Sequence, residues 1–257
     1  MSNYKSLFSS FLGRMKIPEK TLSKIIYFTD LKKDTKNLDL IKNDINFIEK
    51  NYEGINYKIP FIKINPEINN FPDKIFIIAH GRSSMYFLYE NLKTLSNKIG
   101  ITFIIYQHPG YYLSSPEVPS ENNWNNAFKI LVDNFISENP EKEIILLGFS
   151  VGTSILANYI YNSEKNIRFG LASLINSLPE MVCGETNEKL KIVLKNHLFD
   201  KVPKLFEKEL NFPVFYAEDD EFLNYEKIKS LEHINFKGDH YFFNNVDNLE
   251  FLVKCFI

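Results

Sequence analysis

Residues 143–160 read E-I-I-L-L-G-F-S-V-G-T-S-I-L-A-N-Y-I, and this stretch limits the folds open to the chain more than any other. Ile144 to Leu147 is a short, unbroken apolar run, the mark of a strand covered on both faces. Gly148, Ser150 and Gly152 follow as G-x-S-x-G, and a helix-compatible run comes directly after. A strand, a sharp turn and a helix in that order form a nucleophile elbow. Such a turn holds the serine backbone in strain and presents the Ser150 hydroxyl at the carboxyl end of the strand. Gly148 and Gly152 are small because strand and helix pass close together there. The helix N-terminus lends positive partial charge where an oxyanion would develop. The pentapeptide alone also fits a plain Gly/Ser turn before a helix; the flanking strand and helix favour the reactive serine.

The rest of the chain alternates in the same way from residue 74 onward. Apolar runs at 74–79, 101–106, 167–175, 213–217 and 234–237 predict further strands. Helices are predicted at 84–98, with Leu88, Leu92, Leu95 and Ile99 on one stripe, and at 120–137, with Trp124, Ala127, Phe128, Leu131 and Phe135 inward. Val246, Leu249, Leu252, Val253 and Phe256 make a last helix. Repeated β-α units with continuous apolar strands imply an α/β fold, a mostly parallel central sheet with helices on both faces. Two strands at 44–52 and 57–64 read as an antiparallel pair at the sheet edge.

One α/β domain at 44–257 suits a chain of 257 residues, preceded by a helical or irregular extension at 1–43. In that extension Tyr4, Leu7, Phe8, Phe11, Leu12 and Met15 share a helical face, which Pro18 ends. The face either packs on the domain or rests on a partner or, through residues 4–15, makes a weak membrane-surface contact.

Thirty basic and 32 acidic residues leave a net charge of -2, so nothing points to a nucleic-acid partner. Cys183 and Cys255 form neither a disulfide framework nor a zinc spacing, which fits a reducing, cytoplasmic compartment and no metal. No apolar run is long enough for a membrane span.

Ligands of a doubly wound sheet sit at the carboxyl ends of its strands, so the residues after each strand are the test. After 74–79 comes His80-Gly81-Arg82-Ser83, a loop that can bring a backbone N–H toward the elbow. Arg82 N–H and Val151 N–H are the expected oxyanion hole, with the His80 ring bonded to nearby backbone. After 101–106 come Gln107, His108, Pro109, Gly110, Tyr111 and Tyr112. Tyr111 and Tyr112 are candidates for lining a substrate pocket. After 213–217 come four consecutive acids, Glu218, Asp219, Asp220 and Glu221. Asp220 is the expected partner of a catalytic histidine, with Asp219 the alternative. After 234–237 come Gly238, Asp239 and His240, and His240 is the expected general base. His108 precedes the serine, the wrong order for this arrangement, and His197 and His233 read as ordinary polar positions. Ser150, Asp220 and His240 follow one another in the order of the α/β hydrolases.

On A-H-G-R at 79–82, H-P-G-Y at 108–111, G-F-S-V-G at 148–152, A-E-D-D-E at 217–221 and G-D-H at 238–240, the sequence resembles the α/β-hydrolase superfamily. It is similar to short-lidded serine hydrolases, among them depalmitoylases and monoacylglycerol-lipase-like enzymes. Such relatives usually carry Asp where Gln107 stands and Gly where Tyr112 stands, and the depalmitoylases' N-terminal cysteine cluster has no match here. The resemblance implies hydrolysis of an ester, thioester or amide of a small or acylated substrate through an acyl-enzyme, without a cofactor. It also implies a short lid at about 178–210, where Met181 is a further pocket candidate. The same segment would equally suit a surface helix packed on the body. Rival readings are a non-catalytic hydrolase-like binding protein and a peptidase of the same fold.

Overall fold

The computed structural model describes residues 41–82, 85–175, 201–208, 210, 212–220 and 233–257. Its strands are β1 (Ile45–Tyr52), β2 (Ile55–Ile64), β3 (Lys74–Ala79), β4 (Thr102–Tyr106), β5 (Glu143–Phe149), β6 (Arg168–Ala172), β7 (Val214–Ala217) and β8 (His233–Phe236). Its helices are α1 (Tyr86–Ile99), α2 (Glu121–Glu138), α3 (Val151–Asn162), α4 (Lys201–Phe206) and α5 (Val246–Lys254). The strands form one sheet in the order β1-β2-β4-β3-β5-β6-β7-β8. The pairs β1–β2 and β2–β4 are antiparallel, and every other neighbouring pair is parallel.

Side-chain alternation along the central strands explains the layers. On β3, Ile75, Ile77 and Ala79 join one core cluster and Phe76 and Ile78 the other. The first cluster lies under α2, α3 and α4, through Trp124, Phe128, Leu131, Ile155, Leu156, Val202 and Leu205. The second lies under α1 and α5, through Leu88, Leu92, Leu95, Leu249 and Leu252. A strand with both faces buried needs apolar residues at every position, which is why these strands read as unbroken runs. Each fully buried Ile, Leu or Phe contributes roughly 1.5–3 kcal/mol relative to exposure.

Local signals set the ends. Ser120 caps α2 by accepting the Asn123 N–H at 3.1 Å, and Gly100 ends α1 in the left-handed region at φ 82°. The β1–β2 pair is a two-residue hairpin, longer than expected because Glu53 and Gly54 both take positive φ, 52° and 79°. Positive φ at both turn residues matches the right-handed twist of the strands it joins. β6 is shorter than expected. It stops at Ala172 because Ser173 turns into the left-handed region at φ 49°.

At the amino ends of the strands Glu143 accepts Lys74 Nζ at 2.6 Å and Arg168 Nη1 at 3.0 Å, tying β3, β5 and β6 together. The opposite rim carries the loops that hold the candidate site. Within the segment expected as a lid, α4 packs on the body, with Val202 and Leu205 buried beside α3. Residues 178–200, Met181 among them, and the N-terminal helix at 4–15 lie outside the described residues. The core reaches back to the buried Ile41, just before position 44.

Phe76 has no exposed surface and meets Phe103 and Phe256 at ring-centroid distances of 5.6 Å and 6.1 Å. Phe76→Ala should therefore cost about 3–5 kcal/mol, read as a lower urea midpoint with unchanged m-value. A loss under about 1 kcal/mol would mean that this face is not close-packed.

Candidate active site

The elbow is built by three close approaches. Ser150 lies between β5 and α3 at φ 54°, ψ −125°, outside the regions serine favours. Holding a non-glycine residue there costs on the order of 1–3 kcal/mol. A Cβ added to Gly152 would stand 1.8 Å from the Ala79 carbonyl oxygen, and one added to Gly148 would stand 2.9 Å from Thr153 Cα. A Cβ on Gly81, in the loop after β3, would stand 3.1 Å from Ser150 Cβ. At Gly148 and Gly152 glycine is needed for backbone to reach backbone, whereas at Gly81 the near neighbour is the Ser150 side chain. The Ser150 N–H donates to Ala172 O at 3.1 Å, and Ser150 O accepts the Thr153 N–H at 2.9 Å and the Thr153 hydroxyl at 2.5 Å.

The other two members arrive from the loops after β7 and β8. Asp220 is buried at the end of a turn in which its N–H donates to Ala217 O at 3.2 Å. Asp219 is exposed, and its N–H donates to Gly238 O at 3.0 Å. Gly238 takes φ 121° and so lets the chain swing His240 inward. His240 Nδ1 lies 3.0 Å and 2.9 Å from the two Asp220 carboxyl oxygens, and Nε2 lies 2.9 Å from Ser150 Oγ. A carboxylate only accepts, so Nδ1 carries the proton and Nε2 accepts the Ser150 O–H. Between Asp220 and Asp219, the structure brings Asp220 to the imidazole.

The expected oxyanion donors flank this line. Val151 opens α3, where its N–H has no acceptor within the helix. Arg82 follows Gly81, the residue packed against Ser150. Its guanidinium is pushed below its ordinary pKa by burial, against the pull of Tyr111 and Tyr241 close by. Tyr111 is buried, with its ring centroid 6.1 Å from that of Trp124, whereas Tyr112 reaches the surface.

Two histidines outside the Asp220–His240–Ser150 line underpin the loop after β3. His80 Nε2 lies 2.7 Å from Tyr106 O and Nδ1 lies 2.9 Å from Gly81 O, so its ring does bond backbone. Burial lowers its pKa from 6.5 to about 4, even though both carbonyls pull the other way. His108 stacks on Trp124 at 4.0 Å and 8°, and its Nε2 donates to His80 O at 3.1 Å. Burial, and then the neighbouring His80, push the His108 pKa well below 6.5. Its position under the loop suits support, not base chemistry. Thr153 and Ser173 take part in the site without having been read from the sequence; their signals are backbone geometry and not motif.

This strand order, with Ser150 after β5 and Asp220 and His240 after β7 and β8, is that of the α/β-hydrolase fold. Residues 70–195 match the family model described as serine aminopeptidase, S33. The chain has the α/β-hydrolase fold, and its residues 70–195 are similar to that family. It is 28% identical over 169 residues to an α/β hydrolase of Acanthamoeba polyphaga mimivirus. That match takes in 65% of this chain and 62% of the relative, so the chain spans less than two thirds of the relative's length. An esterase of Pyrococcus furiosus superposes with TM-score 0.61 at 15% identity, covering 85% of this chain and 91% of its own. An α/β serine hydrolase homologue from Coxiella burnetii superposes with TM-score 0.59 at 14% identity, over 82% of this chain and 97% of its own. At such identities these structures speak for the fold. Among the described residues no cluster of His, Cys, Asp or Glu is placed to hold a metal ion, and no helix is long and apolar enough to cross a membrane.

Two outcomes are expected. Gly152→Ala drives a methyl group into the Ala79 carbonyl, so soluble yield and thermal midpoint should both fall sharply; a variant as stable as wild type would show the close approach to be unnecessary. His80 stays neutral in the fold from its ordinary 6.5 down to about 4, while the unfolded chain binds a proton in that window. Its stabilising contribution is thus whole above pH 6.5 and lost as pH falls toward about 4. Urea unfolding at pH 7 and pH 5 should show a drop smaller by about 2 kcal/mol in His80→Gln than in wild type; equal drops would contradict the buried neutral ring.

Proposed function

We propose that the chain is a serine hydrolase that cleaves a carboxylic ester or thioester of a small or acylated substrate through an acyl-enzyme. The observation that carries this reading is the continuous hydrogen-bonded line Asp220–His240–Ser150, with 2.9 Å at each closest step, on a strained elbow. Ser150 Oγ attacks the acyl carbonyl carbon while His240 Nε2 takes its proton. Asp220 holds the ring in the matching tautomer and stabilises the imidazolium that forms. The carbonyl oxygen becomes an oxyanion between the N–H groups of Val151 and Arg82, each worth roughly 3 kcal/mol of barrier. The tetrahedral intermediate collapses, and His240 hands the proton to the leaving alcohol or thiol. Water then repeats the sequence on the acyl-enzyme, with His240 again as base.

No step calls for a cofactor. The apolar pattern at 178–210 in the sequence favours an acyl chain as the group bound. The description of the matched family favours a second reading, in which the same machinery cleaves an amide at the N-terminus of a peptide. A cytoplasmic setting fits the two cysteines, of which Cys255 is free.

A fluorophosphonate probe should label wild-type protein, and Ser150→Ala should abolish labelling and lower kcat by about 10⁴-fold or more at an unchanged thermal midpoint. Labelling that persists in Ser150→Ala would remove Ser150 as the nucleophile. Esters and thioesters of graded acyl length, run beside aminoacyl amides, separate the two substrate classes. Absence of both turnover and labelling would favour the non-catalytic binding protein.

A further inference from the structure

Ser173 is the first residue after β6, and it is fully buried at φ 49°. Glycine and asparagine adopt that conformation readily; serine does so at a cost. What serine adds here is a hydroxyl, and that hydroxyl donates to the carbonyl oxygen of His240 at 2.8 Å. The Ser173 N–H donates to Phe215 O at 2.9 Å, on the strand that leads to Asp220. The preceding residue, Ala172, accepts the Ser150 N–H at 3.1 Å. Ile175 N–H donates to the Thr153 hydroxyl at 3.3 Å, and that hydroxyl bonds Ser150 O. A run of four residues, 172–175, therefore touches all three segments that carry the proposed triad.

The His240 loop needs such an anchor. It enters through Gly238 at φ 121°, a residue with wide backbone freedom. We propose that Ser173 is a positioning residue: by holding the His240 peptide it sets the reach of the imidazole to Ser150 and Asp220. The left-handed backbone is what aims a buried hydroxyl from the end of β6 across to the base loop. This inference rests on the serine-hydrolase reading of the same site, and its test must fail separately from that reading.

The test compares Ser173→Gly with Ser173→Ala. Both remove the hydroxyl, but only glycine relaxes φ 49°. Glycine should be the more stable variant by thermal midpoint, and both should lose roughly 10- to 100-fold in fluorophosphonate labelling rate and in kcat, with KM little changed. A structural role alone predicts that rate follows stability, so that glycine recovers wild-type labelling; that result would overturn the proposal. The Nδ1 proton resonance of His240 gives a readout that needs no turnover. It should move in both variants. If wild type is not labelled at all, the hydrolase reading fails, while a moved resonance still supports the positioning role. An unmoved resonance with wild-type labelling rates would remove Ser173 and leave the hydrolase reading standing.

Discussion

Backbone touching backbone at the junction of β5 and α3 is the constraint on which the molecule turns. Gly152 lies so near the Ala79 carbonyl that even a methyl group has no room. That approach forces the reversal at Ser150, and the reversal sends the serine hydroxyl out of the sheet plane toward the His240 ring. β3 and β5 are also adjacent and in register, Ala79 opposite Gly148. The loop after β3 is therefore delivered against the serine by the same contact that bends the elbow. One steric fact thus places both the hydroxyl and the peptide expected to stabilise charge beside it.

Around this point the supports are layered. Ala172 holds the elbow peptide, and His108, stacked on Trp124 and tilted against His80, lies beneath the loop after β3. Both imidazoles sit where water cannot reach, and burial keeps them neutral through the ordinary histidine range. Three histidines therefore cluster within one rim with different duties. His240 alone has a carboxylate on one nitrogen and a hydroxyl on the other.

Most of the architecture was legible because burial on both faces writes itself as continuous apolar runs. The strand at 74–79 appears at its expected bounds, and the long helices lie within two residues of expectation. The order of serine, acid and histidine was legible because each follows a strand, and strand ends are where a parallel sheet gathers its loops. Choosing Asp220 over Asp219 rested on weaker ground. Neighbours in a run of acids differ only in which way the turn points them, and the turn at Ala217 decides that. Ser173 was not legible at all. Nothing in A-S-L-I marks a left-handed residue, since that conformation is imposed by contacts with β7 and the His240 loop. The tight Glu53–Gly54 turn escaped for a related reason, because its first residue is not a usual bearer of positive φ.

The strained backbone of Ser150 has an evolutionary corollary. Glycine in its place would relax the torsion, so a lineage freed from the need for a hydroxyl there would find a more stable protein one substitution away. Drift therefore runs downhill from serine at this position, and neutral wandering would tend to erase it. Keeping serine on such a slope takes steady purifying pressure, much as a stone stays halfway up a bank only while something holds it.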